Sequence, residues 1–123
     1  CTTTRDLARI GQLILERSVR GTKQIIPESW IADILENGDT EAWNAGSFVE
    51  FFPGATMHYR AKWYVERGRA PLLSGLGIHG QNLFIDPVNQ IVIAKFSSQA
   101  PPLDACLIAA TGAAVSAVRK ALS

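Results

Sequence analysis

Between Leu72 and Asp86 the chain reads Leu-Leu-Ser-Gly-Leu-Gly-Ile-His-Gly-Gln-Asn-Leu-Phe-Ile-Asp. Three glycines, Gly75, Gly77 and Gly80, fall within six positions of an otherwise strand-forming stretch. Glycine inside a strand weakens it, and marks a bulge, a tight bend or a point where a ligand approaches the backbone closely. Two readings of the stretch stand side by side. In one it is a hairpin turn with His79 as a polar turn residue. In the other it is the edge of a site, where backbone N–H groups face a substrate carbonyl and the titratable ring of His79 stands beside them.

The flanking residues set the elements around this stretch. Tyr59 to Glu66 alternates, with Tyr59, Ala61, Trp63 and Val65 on one side and Arg60, Lys62, Tyr64 and Glu66 on the other, as in a half-buried strand. Leu83–Asp86 is a second short apolar run, ended by the Asp86-Pro87 turn signal. Ile91–Phe96 is a third, apolar on both faces and hence expected to be covered on both. The tight turn near Val88-Asn89 makes the last two antiparallel.

Helices are expected on either side of these strands. The first runs from about Thr4 to Arg20, with Thr2–Thr4 as capping hydroxyls, Asp6 in the first turn and a Leu7, Ile10, Leu13, Ile14 stripe. The second starts at Pro27 and ends at Asn37-Gly38. Asp39 to Met57 reads as a long loop, of a length usually functional or covered by another part of the protein. The last helix spans about Leu103 to Leu122 and carries a small-residue stripe (Leu103, Leu107, Ala110, Ala114, Val118, Ala121) expected to lie flat on the sheet. The fold class is α+β, an antiparallel sheet of about three strands with helices packed on it.

The 123 residues set a one-domain prior. Twelve basic and 11 acidic residues leave a formal charge of +1, which is no footprint for nucleic acid. No apolar run approaches the roughly 20 residues that span a bilayer, so no membrane partner is expected. Cys1 and Cys106 form no disulfide framework and have no metal-ligand spacing. Cys106, in an apolar stretch, is expected to be a buried small hydrophobe. His58 and His79 lie 21 residues apart without a cluster of other ligands, so neither a metal nor a cofactor is expected.

A self-contained nucleophile is not legible. None of the eight serines has a lysine three positions on, and no Gly-x-Ser-x-Gly elbow or phosphate loop exists. A Cys106–His79 dyad is possible on paper, but a thiolate would be disfavoured in a core helix.

Several stretches taken together carry a resemblance. TTTRDLARIGQLILERS, EAWNAG, HYRAKWYV, GIHGQNLFIDP and IVIAKFSSQ, in this order along the whole chain, resemble the C-terminal part of the serine hydrolases related to class C β-lactamases and penicillin-binding proteins. Within that group they most resemble 6-aminohexanoate-dimer hydrolases and neighbouring esterases. The resemblance implies that residues 1–123 are the C-terminal portion of such a domain, 1–57 mainly helices and loop, 58–123 sheet and final helix. It implies cleavage of an amide or ester of a small molecule through an acyl-enzyme. The family's Ser-x-x-Lys nucleophile motif and its tyrosine would precede Cys1, which makes Cys1 a cut point. This chain alone would then be inactive, completed by the missing N-terminal part or by another copy.

The resemblance also places the family's third motif here. In the preferred register Gly75-Leu76-Gly77 takes the motif position and Ile78 donates its backbone N–H to the oxyanion, with His79 and Gly80 at the hairpin turn and Tyr64 as a substrate wall. A second register puts His79-Gly80-Gln81 on the motif and makes Asn82 the donor. Neither holds the Lys or hydroxyl residue of the family's motifs. The rival expectation is a non-catalytic α+β binding module, which predicts a closed sheet with both edges capped. β-Lactamases proper are exported and nylon-oligomer hydrolases intracellular, so the resemblance leans towards the cytoplasm without deciding the compartment.

Overall fold

A computed structural model describes residues 1–17 and 19–123. Thr3 caps α1 (Thr4–Leu15), its hydroxyl accepting from the Asp6 N–H at 3.1 Å. The helix stops short of the expected Arg20. Arg17 turns left-handed at φ 54°, and Val19–Arg20 (β1) pairs with Lys23–Gln24 (β2) across Gly21. Ser18, inside the expected helix, lies outside the described residues.

The buried face of α1 is Leu7, Gly11 and Ile14, rotated from the expected stripe, so that Ile10 is exposed. Gly11 decides this rotation. A Cβ there would lie 2.5 Å from a Val92 methyl, so only glycine lets the helix approach the sheet so closely. After α2 (Glu28–Glu36), the expected long loop holds two short helices instead, α3 (Thr40–Asn44) and a 3₁₀ segment (Ser47–Phe51). Asp39 starts α3 by accepting from the Ala42 N–H.

The main sheet has five strands rather than three, in the order β3 (Met57–Arg60), β4 (Trp63–Glu66), β5 (Leu72–Leu76), β6 (Asn82–Asp86), β7 (Ile91–Lys95), all antiparallel. Two corrections account for the difference. The alternating stretch Tyr59–Glu66 is not one strand but belongs to a hairpin, turning at Ala61-Lys62 with φ 49° and 71°. A two-residue turn flips the parity of the pattern. Tyr59 therefore stands opposite Tyr64 and His58 opposite Val65. Leu72–Leu76, left unassigned by its glycines, is the central strand.

The sheet separates two cores. Val65, Leu73, Leu83 and Ile85 pack with Ile14 of α1 and Ile34 of α2, while Leu72 and Phe84 pack with Val115 of α4 (Ala105–Leu122). α4 does not lie flat on the sheet: Leu107, Ala110, Ala114 and Val118 of its stripe face Phe84 and Ile93 across a cavity. Val115 is its one buried residue, and Leu107, Val118 and Leu122 are exposed together with Leu103 before it. Cys106 is likewise exposed, contrary to expectation, since Leu107 and Ile108, and not Cys106, line the space between this turn of α4 and the sheet. α4 is also long and apolar enough to cross a membrane, on length and composition alone. Here Arg119 ties it to the sheet through Asp86.

Candidate functional site

The glycine-rich stretch closes the β5–β6 hairpin. β5 runs through Gly75 and Leu76, and the Gly77 N–H donates to the Gln81 carbonyl at 2.7 Å. The link between is a single 3₁₀ turn, Ile78–Gly80, in which His79 (φ 57°) and Gly80 (φ 78°) are left-handed. Histidine tolerates that region better than most residues, and glycine adopts it freely.

Four bonds pin the turn. The His79 N–H donates to the Pro102 carbonyl at 3.0 Å. His79 Nδ1 donates to the Gln99 carbonyl at 3.0 Å. The Gln81 amide nitrogen donates to the carbonyls of His79 and Ser97. Between two engaged neighbours, the Ile78 N–H has no hydrogen-bond partner among the described residues. Ile78 itself is 62% exposed.

Beneath this turn opens a cavity of about 210 Å³. Phe48, Phe51, Phe52 and Tyr64 form one wall, and Leu103, Leu107 and Ile108 the other. Gly77, Ile78 and Gly80 edge it, and Asn82, Lys95, Gln99 and Thr111 are its polar groups. The aromatic wall is itself packed. The Tyr64 ring lies 4.8 Å from Tyr59, 5.8 Å edge-on from Trp43 and 6.2 Å from Phe48. Burial, and then the neighbouring Tyr59 phenol, hold the Tyr64 hydroxyl above its ordinary pKa, so it stays protonated at neutral pH.

An apolar cleft with a few converging polar groups is the usual form of a small-molecule site. Of the residues singled out from sequence, Tyr64, Gly77, Ile78 and Gly80 meet around this one. Gly75 does not. It lies on the opposite face of β5, where a Cβ would approach Trp63 and Leu83. His79 does not line the cavity either, its ring being turned to Gln99. Asn82, the donor of the second register, is paired with Leu76 inside the ladder and lines the cavity. Sequence reasoning missed Phe48, Phe51 and Phe52, three aromatics in five positions of a segment read as loop, and that density was the available signal. It also missed Lys95, Gln99 and Thr111, which no local pattern marks. Among the described residues no group of His, Cys, Asp and Glu could hold a metal.

The fold, with this hairpin over a cleft, is similar to part of a solved protein. A solved Bacillus anthracis protein, assigned as a 6-aminohexanoate-dimer hydrolase, superposes with a TM-score of 0.72 at 33% sequence identity. The match covers 94% of this chain and 28% of that one. The 6-aminohexanoate-dimer hydrolase of Paenarthrobacter ureafaciens is 36% identical over 100 residues, 81% of this chain and 25% of that protein, in its C-terminal part. No family model matches the chain. The chain is thus similar to the C-terminal part of a 6-aminohexanoate-dimer hydrolase, as its motifs implied, and spans about a quarter of the length of the relatives it matches.

Proposed function

We propose that this chain forms the oxyanion and acyl-pocket side of a serine hydrolase that cleaves amide or ester bonds through an acyl-enzyme. The carrying observation is the unengaged Ile78 N–H, held by a pinned turn at the rim of an aromatic cleft. A preorganised backbone donor aimed at developing negative charge is the largest single device of acyl transfer. The cleft accepts the apolar part of the substrate against Phe48, Phe51, Phe52 and Tyr64. Gly77 keeps the rim narrow, since a Cβ there would lie 2.9 Å from the Gln81 carbonyl.

The nucleophilic serine, its lysine and the acid/base tyrosine come, in this reading, from the N-terminal remainder of the same protein. The relatives are about four times longer than the part this chain matches, which supports that assignment. So does the sheet. It is an open meander, not a closed one, and among the described residues β7 pairs only with β6. The rival binding module called for capped edges.

The test must alter the backbone, because the donor is not a side chain. In the intact protein, Ile78→Pro is expected to lower turnover of p-nitrophenyl butyrate and of a short linear amide by about 10²–10³. Ile78→Val should leave both near wild type. If Ile78→Pro retains wild-type turnover, the assignment fails.

A further inference from the structure

Resting on the reading of Ile78 as the oxyanion donor, we propose that Gln81 is the positioning residue that holds the Ile78 N–H in place. Gln81 grips the turn on both sides of that donor. Its carbonyl accepts from the Gly77 N–H at 2.7 Å, one residue before Ile78. Its amide nitrogen donates to the His79 carbonyl at 3.2 Å, one residue after it. The same side chain reaches across to the link between β7 and α4. There the amide nitrogen also donates to the Ser97 carbonyl, and the amide oxygen accepts from the Ser97 N–H at 3.2 Å.

This set of partners demands a carboxamide. Two carbonyls need donors and one N–H needs an acceptor, and a terminal amide carries both kinds of group in one plane. The ladder between β6 and β7 ends at Asn82 opposite Lys95. Gln81 adds one more rung, made by its side chain on both backbone groups of Ser97. The turn needs such support, because the left-handed conformation of His79 persists only where surrounding bonds over-determine it. A Cβ on Gly80 would lie 2.9 Å from Ser97 Cβ, so the turn rests directly on the link to α4. Gln81 itself lines no part of the cleft, and borders a groove beside Leu7 and Trp63 instead. It therefore acts on the reaction through Ile78 and not by touching substrate.

The experiment is steady-state kinetics of the intact protein on p-nitrophenyl butyrate, with NMR relaxation of the backbone amides as a second readout. Gln81→Met keeps the stem and loses every side-chain bond. It is expected to lower kcat about 10²-fold, as a misplacement of about 1 Å can, with KM near wild type. Gln81→Glu keeps the shape and the acceptor but, as a carboxylate, loses both donors, and should lose kcat to a similar degree. In both variants the amides of the turn should gain fast motion. A wild-type kcat overturns the proposal, as does a loss carried by KM or a turn that stays as ordered as in the wild type. If one variant fails to fold by circular dichroism, the other carries the test. Ile78→Pro separates the two readings. Wild-type turnover in Ile78→Pro removes the oxyanion assignment itself, whereas its loss there beside a wild-type kcat in Gln81→Met removes only the role of Gln81.

Discussion

Gly38 and His58 show how one residue can rest on another far away in the chain. His58 is fully buried on β3, and its Nε2 donates to the Ile34 carbonyl at the end of α2 at 2.7 Å. Its Nδ1 has no partner among the described residues, so the ring is held by that single bond and by packing. The ring lies flat over Gly38, where a Cβ would fall 1.8 Å from His58 Cδ2. The overlap reaches the ring's Cγ at 2.1 Å, so the ring cannot stay where it is. Gly38→Ala is expected to expel the imidazole, lose the Ile34 bond and cost about 2–4 kcal/mol. Urea unfolding at unchanged slope would measure it, and a midpoint equal to wild type would refute it. From sequence Gly38 reads only as a helix stop, and His58 as one of two unclustered histidines. Their pairing is a tertiary event.

At the scale of elements, what was legible depended on whether the signal was local. The Thr3 cap and the Asp86-Pro87 turn were readable because each is set by a side chain bonding to backbone within three residues. The β3–β4 hairpin was not, because Ala61-Lys62 lacks the Asn-Gly signature of a turn with two positive φ values. Here the cross-strand pairing forces two ordinary residues left-handed, at a cost of roughly 1 kcal/mol each. Replacing the pair by Asn-Gly should therefore raise the stability by about 1 kcal/mol or more, seen as a higher thermal midpoint. A lower midpoint would mean that the two side chains contribute contacts outweighing the strain. The aromatic wall of the cleft was hidden for the same reason. Phe48, Phe51 and Phe52 occupy a short 3₁₀ segment that is too brief to show a period.

For the molecule as a whole, the attachment of α4 matters most, since the cleft lies between it and the sheet. Among the described residues three polar ties hold the helix: Lys95 to Thr111, and Arg119 to Asp86 and to the Ala70 carbonyl, each at 2.6 Å. Asp86 is fully buried, and burial by itself would raise its pKa. Bonds from the Asn89 backbone and side chain, and from Arg119, outweigh that and bring it below the ordinary carboxylate value. A depressed folded-state pKa gives stability that is present above the unfolded value, near 3.8, and lost as pH falls through the lower folded one. Asp86→Asn is expected to cost about 3 kcal/mol at pH 7, because Arg119 is left largely buried without its counter-charge. Its deficit should shrink below about pH 4, where the wild-type carboxylate also begins to lose its charge. A deficit independent of pH would show that Asp86 acts only as a hydrogen-bonded turn residue.

The sequence by itself determined the α+β class, the order of its main elements, the position of the glycine turn and the resemblance to the hydrolases. Caps, alternation and glycines act over a few residues, and colinear motifs survive without coordinates. Only the tertiary structure decided the fifth strand, the face that α1 and α4 bury, and the exposure of Cys106. It also decided which glycines meet the cleft. Gly77 and Gly80 do, because they lie in the turn beyond β5 that folds over the cleft, whereas Gly75 lies inside β5 on the face towards Trp63 and Leu83. The aromatic wall and Lys95 belong to the same class of facts. They come from separate elements, and long-range packing brings them to one place.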